Sequence, residues 1–424
     1  MNFSDNLILS KSVFRPVIII VLLAILVRVI LFFIFNYSHD LRTGDSVYYL
    51  DTGRNILVYG VHGEKEIATY VRPPLYSAFA GIVGSISESA VFFYIVQSAL
   101  FICFSVTIYF LLRRYDNKIA FISALLIAAS PFDALLNGRV LSENLVTPLI
   151  VLATIAFVQA KNSKLSFFVS GLLLGALVLT RDIYLMLPLF FIVGGVFAKI
   201  KVRHLVVFIL GYSLLITPWI YRNSQLPSAG LFLSQGNLWP NLWMGTWMKT
   251  SNTNWYMTPN YLPPEASRTF DNGNSPDVLM DAWNKWDKGF FKKVVIEYVS
   301  NHPLEVIRTM TARHYKLWLG TRSELMTAYS AKGTLFWFFI KGSFYLISAA
   351  VIFLSLPGML LALRSKELPM MFCMPILYTA IIYFPFHNDE TRYSQPVMPI
   401  LTIFSVYFIL RTIEKFHIHP KSLV

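Results

Sequence analysis

Apolar residues in this chain fall in long blocks instead of alternating with polar ones. Blocks of roughly 17–25 residues, enough to cross a bilayer as helices, lie near 16–35, 89–112, 119–136, 142–160, 165–180, 183–198, 203–222, 335–362, 369–386 and 394–413. The pattern predicts an all-α polytopic membrane protein with about ten spans. Breaks at Pro131, Asn137 and Thr180–Asp182 divide its shorter blocks. Two polar stretches interrupt the series. Residues 36–88 form a first loop, and 223–334 are too long for a connector, which predicts a small folded domain. The expected organisation is an N-terminal transmembrane module (1–222), a loop domain (223–334) and C-terminal transmembrane helices (335–424).

The polar stretches carry their own patterns. SVYYLDTGRNILVYG, from Ser46 to Gly60, is a weakly amphipathic helix in the first loop. In the long loop, Trp239–Trp247 has closely spaced tryptophans around a turn-like Pro240. Asp281–Trp318 reads as two amphipathic helices broken at His302–Pro303. Both segments suit the outer leaflet surface, with Trp and Lys at headgroup level. The tryptophans read as an aromatic belt or as a platform for stacking a sugar.

Composition agrees with the blocks. Of 424 residues 55% are apolar, 16% aromatic and only 14% charged, which excludes an ordinary soluble domain. A net charge of +13 would suggest nucleic acid in a soluble protein, but here the basic residues mark connections. Lys11 and Arg15 precede the first span. Arg113, Arg114 and Lys118, then Lys161 and Lys164, then Lys199, Lys201 and Arg203, then Arg364 and Lys366, and finally Arg411, Lys415 and Lys421 follow every second span. The positive-inside rule then places both termini in the cytoplasm and the first loop outside. The first apolar block lacks a small-residue cleavage site and reads as a span, not a signal peptide. Cys103 and Cys373 fall in apolar blocks and read as packing residues.

Candidate chemistry gathers on the external side. Asp45 reads either as a helix N-cap or as a carboxylate that takes a proton from a hydroxyl acceptor. Arg72 precedes Pro73–Pro74, a rigid turn that presents a planar fork of donors to a phosphate, either of a specific carrier or of ordinary headgroups. Glu143 complements a helix dipole or supplies a second acid. Arg181–Asp182 reads as a salt-bridged cap, and Glu390, Arg392 and Tyr393 form a polar cluster before the last span. Arg28 lies inside the first span, where a charge is expensive and needs a partner. There is no P-loop, dinucleotide fingerprint, HExxH or paired-cysteine zinc motif. His39, His62, His302, His314 and His387 are external, which leaves a divalent metal open, but no metal-ligand spacing supports one and they read mostly as surface residues.

In GDSVYYLDTGRNIL (Gly44–Leu57), YVRPPLYSAFAGIVG (Tyr70–Gly84), LSENLVTPLIVLA (Leu141–Ala153), LLLGALVLTRDIYLMLPL (Leu172–Leu189), TPWIYRN (Thr217–Asn223) and ETRYSQPVMPIL (Glu390–Leu401), the chain resembles the GT-C membrane glycosyltransferases of the protein O-mannosyltransferase superfamily, which also contains the lipid A aminoarabinose transferases. The resemblance implies a GT-C fold with amphipathic first-loop helices and a small extracytoplasmic domain in the cell (inner) membrane. It implies inverting transfer of one sugar from a polyprenyl-phosphate carrier to a lipid, glycan or protein acceptor on the extracytoplasmic face. By position it makes Asp45 and Glu143 the catalytic acids, and Arg72 and Arg181 the carrier-phosphate ligands. Tyr48, Tyr76, Glu390, Arg392 and Tyr393 are the implied substrate contacts, and no cofactor is required. One departure is that Asp45 is followed by Ser46, where many relatives pair two acids, which argues against a Ser/Thr-protein acceptor of the eukaryotic kind. Two other classes fit the same blocks: an undecaprenyl-diphosphate-glycan polymerase or ligase, which would depend on Arg308, Arg313 and Arg322, and a lipid-linked sugar flippase, which would show paired hydropathy repeats.

Overall fold

The computed structural model describes residues 11–35, 41, 44–64, 67–69, 71–160, 163–226, 233–234, 238–247, 288–320, 335–365, 368–386 and 391–418. It is an all-α bundle. In chain order come α1 (Lys11–Phe35), α2 (Asp45–Tyr59), a hairpin of β1 (Gly63–Glu64) and β2 (Ile67–Ala68), α3 (Leu75–Ile86), α4 (Ala90–Leu112), α5 (Asn117–Ala128), α6 (Pro131–Asn137), α7 (Glu143–Gln159), α8 (Lys164–Thr180), α9 (Leu187–Phe197) and α10 (Val202–Ser224). Beyond these lie α11 (Leu238–Trp247), α12 (Lys288–Asn301), α13 (Pro303–Trp318), α14 (Leu335–Ser365), α15 (Met374–Ile382) and α16 (Met398–Ile418), with one-turn helices at Asp182–Tyr184, Met370–Cys373, Thr391–Tyr393 and Gln395–Val397.

Every apolar block of the sequence contains a helix or a broken pair. Five described helices are long and apolar enough to cross a membrane, or six if α5 and α6, bent by 46° at Ser130–Pro131, form one span. The bend has a local cause. Pro131 cannot continue the ladder of α5, and the Ser130 hydroxyl accepts from the Asp133 N–H to start α6. Shorter apolar helices fill the remaining blocks. In the long loop, the expected break at His302–Pro303 separates α12 from α13. Pro240, expected in a turn, instead lies in the first turn of α11, where a missing N–H costs no ladder bond. Glu390, His39, His387 and Arg322 lie outside the described residues.

Small residues set the closest contacts, as expected where lipid removes the hydrophobic drive between helices. α2 and α3 cross at Gly53 and Gly81, where a Cβ on Gly53 would run into the Ser77 carbonyl and the backbone of Gly81. The contact is reinforced by the Thr52 hydroxyl donating to Ser77 Oγ at 2.9 Å. Because Tyr49 meets Tyr76 and, one turn further along both helices, Gly53 meets Gly81, the two helices run in the same direction and bring their N-termini to one end of the bundle.

The buried charge of α1 finds its partner at the α5/α6 break. Arg28, 3% exposed, donates through Nε to Asn137 Oδ1 at 3.2 Å and through Nη1 to the Ala128 carbonyl at 2.9 Å, an acceptor left free where α5 ends. Asn137 donates to Asn144 Oδ1 at 2.9 Å, and Gln97 donates to the carbonyls of Asn137 and Arg139. Tyr76 then donates to Gln97 Oε1 at 2.8 Å. The network runs from α1 to the loop that opens α7 and to α3, so it braces the end of the bundle where Asp45 and Glu143 stand.

Candidate active site

Both acids open helices. Asp45 is the first residue of α2, with Gly44 rather than Asp45 as its N-cap, at φ 55°. The N-cap reading of Asp45 is therefore replaced by a first-turn carboxylate, free to point away from its own backbone. Glu143 is the first residue of α7. A positive helix N-terminus favours a carboxylate at each place.

Three arginines from distant parts of the chain meet these acids in one row. Arg72 Nη2 lies 2.8 Å from Asp45 Oδ1, Arg392 Nη1 3.8 Å from Asp45 Oδ2, Arg392 Nε 4.0 Å from Glu143 Oε1, and Arg181 Nη1 2.6 Å from the same Glu143 oxygen. The order is Arg72, Asp45, Arg392, Glu143, Arg181. Exposure is uneven along it: the side chains of Arg72 and Asp45 are 28% and 36% exposed, those of Arg392 and Arg181 17% and 21%, and that of Glu143 only 2%. The Arg72–Asp45 end is the most open to an incoming ligand.

Each arginine is held by its surroundings. Arg72 donates from its backbone N–H to the Tyr48 hydroxyl at 3.2 Å and from Nη1 to the Tyr49 hydroxyl at 3.1 Å, with its guanidinium 5.3 and 5.1 Å from the two ring centroids. Arg392 sits in a one-turn helix fixed from both sides: Ser394 donates to the Leu317 carbonyl at 2.5 Å and Gln395 to Asp133 Oδ2 at 2.8 Å. Arg181 and Arg392 flank the ring of Tyr393 at 4.9 and 5.2 Å, and that ring stacks on Tyr383 at 5.1 Å. Asp182 does not pair with Arg181; it accepts from Ser234. The salt-bridged cap expected at Arg181–Asp182 is thus absent, because Glu143 takes the guanidinium.

Burial pushes the Asp45 carboxyl up, but Arg72, Arg392 and Arg181 outweigh it and bring it down to about 2. Burial likewise opposes the Arg72 charge, and Tyr49 and Asp45 more than restore it. Tyr48 lines the row, whereas Tyr76 is fully buried beneath Tyr49, its hydroxyl committed to Gln97, with no surface open to a ligand. Among the described residues no group of three or more His, Cys, Asp or Glu is arranged to hold a metal ion. His62 is not a surface residue: it is 5% exposed and packs edge-on against Trp219 at 5.1 Å. Local sequence gives no sign of the roles of Tyr49, Tyr383 and Arg222, although Arg222 lies in TPWIYRN, one of the segments that carry the resemblance.

No protein-family model matches the chain and no curated protein matches it by sequence. Solved structures do. The Archaeoglobus fulgidus oligosaccharyltransferase in its apo form superposes with a TM-score of 0.54 at 14% identity, over 96% of this chain and 51% of that one. The oligosaccharyltransferase AglB from the same organism, in complex with an inhibitory peptide and a dolichol-phosphate, gives 0.54 at 14% identity over the same shares. The A. fulgidus enzyme tethered by a disulfide to an acceptor peptide containing the NVT sequon gives 0.53 at 12%, over 97% and 51%. The chain therefore spans about half the length of these structures. At such identity the likeness shows the fold, which is the GT-C membrane fold.

Proposed function

We propose that the chain is an integral membrane glycosyltransferase that moves a single sugar, with inversion, from a polyprenyl-phosphate carrier to a lipid, glycan or protein acceptor on the extracytoplasmic face. The observation that carries the reading is the row itself: two helix-opening carboxylates interleaved with three arginines, at one end of a bundle with the fold of lipid-linked-sugar transferases. One such transferase, AglB, is seen with a dolichol-phosphate and an inhibitory peptide. That supports a polyprenyl-type phosphate as donor here and keeps a peptide among the acceptors.

The chemistry follows from the charges. Transfer builds negative charge on the departing phosphate, so fixed guanidinium groups stabilise the transition state more than the ground state. Arg72 and Arg181 supply them, with Arg392 between the acids. Asp45, held at about 2 by its arginines, is a weak base while the row is closed. A phosphate that takes over Arg72 removes the strongest of those partners, so the carboxylate gains basicity as the donor arrives. It then accepts the proton of the attacking hydroxyl as the C–O bond to the acceptor forms and the sugar–phosphate C–O bond breaks. Glu143, almost fully buried, orients Arg181 and Arg392.

The test is transfer from a polyprenyl-phosphate sugar by the purified protein in detergent. Asp45→Asn and Arg72→Ala are each expected to lower kcat/KM by about a hundredfold or more. Full activity in both would sink the site assignment. Arg308 on α13 is exposed and Arg313 donates to the Gly245 carbonyl; neither forms part of the row. A polymerase or ligase would instead depend on those arginines and not on Asp45.

A further inference from the structure

Arg222, in the last turn of α10, grips the first loop. Its Nη1 donates to the Thr69 carbonyl at 2.7 Å and its Nη2 to the His62 carbonyl at 3.0 Å. Those two carbonyls belong to the residues that close the open end of the β1–β2 hairpin, where the Thr69 N–H donates to the His62 carbonyl at 2.9 Å. One planar guanidinium therefore spans both strands. It is held flat for the task by Asn223 Oδ1 at 2.9 Å and by the face of Trp219 at 4.7 Å, and Trp219 in turn packs against the His62 ring.

A hairpin with two residues per strand has no stability of its own. Its position must come from what it is tied to. At its near side Asn55 donates to the Gly63 carbonyl at 2.5 Å; at its far side the chain runs only three residues from Thr69 to Arg72. Arg72 then reaches Asp45 at 2.8 Å. Among the described residues Arg222 pairs with no carboxylate, so its charge is committed to these backbone acceptors.

We propose that Arg222 is a positioning residue for the donor phosphate: it latches the hairpin to α10 and thereby fixes Arg72 against Asp45. The proposal rests on the carrier-phosphate reading of Arg72. Lys at this position puts a single ammonium on a flexible stem and cannot bridge the two carbonyls as a fork does.

The experiment compares wild type, Arg222→Lys and Arg222→Ala in detergent with a polyprenyl-phosphate hexose as donor, together with hydrogen exchange of the backbone amides. The latch predicts a fall of about tenfold or more in kcat/KM for both variants, shared between donor KM and kcat because Arg72 also meets the departing phosphate, and faster exchange of the Thr69 amide with the amides of α10 unchanged. Added ethylguanidine restores the Arg222→Ala kcat/KM. Unchanged kcat/KM with unchanged exchange at Thr69, or equal loss of protection throughout α10, would overturn the latch. Absence of transfer by wild type from any polyprenyl-phosphate sugar would overturn the donor reading instead, and exchange at Thr69 would then decide the latch by itself.

Discussion

His62 lies buried between Trp219 and Tyr48, 3.4 Å from the Thr69 carbonyl through Nδ1. The carbonyl only accepts, so Nδ1 carries a proton. Burial pushes the imidazole down to about 4, and the charge of Arg222 works in the same direction against the Thr69 bond. The folded value lies below the unfolded one of about 6.5, so the stabilising contribution is present above about pH 6.5 and is lost as pH falls towards 4. The protection factor of the Thr69 amide is expected to fall over that window in wild type and to stay flat in His62→Phe. Asp45 behaves as a depressed carboxylate: its contribution is present above about pH 4 and disappears as pH falls through about 2. Acid unfolding of Asp45→Asn should lose that part of the pH dependence. These residues also show what a single sequence yields. Asp45, Arg72, Glu143, Arg181 and Arg392 stand out as charges beside apolar blocks, and the geometry draws them into one row. Their pairing was not legible, because Arg72 and Arg392 reach Asp45 from segments far along the chain. Arg222 and Tyr49 lie in segments that carry the resemblance, but nothing local marks their roles, since one bonds backbone carbonyls and the other is one tyrosine among many.

At the scale of elements, the site depends on how α2 and α3 cross. Their contact at Gly53 and Gly81 leaves no room for a side chain. Gly81→Val forces the helices apart and should lower stability by about 1–3 kcal/mol, with loss of transfer, in a thermal melt and activity assay. Gly84→Ala is the control, because an added Cβ there meets only Leu50, Phe93 and Glu88 side chains at 3.8–3.9 Å. The α1 charge invites a second measurement. Asn137→Ala removes the Arg28 Nε acceptor and should cost about 1–3 kcal/mol of stability, whereas Arg28 had no visible partner in the sequence. Its acceptors arise only where α5 ends and α6 begins, a three-dimensional event that Pro131 hints at without specifying.

At the scale of the whole molecule, the all-α membrane fold was legible because apolar blocks are a one-dimensional signal. The lengths of α7 and α8 were legible too: the blocks 142–160 and 165–180 match Glu143–Gln159 and Lys164–Thr180. At 17 residues each, about 25 Å, they are shorter than a hydrocarbon core of about 30 Å, and these are the helices that begin at Glu143 and end before Arg181. The basic connections set the proposed orientation, with 36–88 external and both termini cytoplasmic. In a variant lacking Cys103 and Cys373, a cysteine introduced at exposed Ser85 should react with an impermeant maleimide in intact cells, and one at exposed Lys118 only after permeabilisation. The opposite labelling would reverse the orientation.

The row has one more guanidinium than carboxylate, and that odd number has a consequence for turnover. On the proposed reading the donor is a phosphodiester with one negative charge, so donor and row together are neutral. The departing carrier is a phosphate monoester, which gains charge towards −2 near neutral pH. With the acceptor's proton on Asp45 the row carries one more positive charge and stays matched to the fully ionised product, so the bond that breaks tightens the hold of the same arginines on the carrier. Release is then the step that the row slows, and it should be faster at mildly acidic pH, where the monoester keeps its second proton and binds as a monoanion; the product-inhibition constant of the free polyprenyl phosphate measures it.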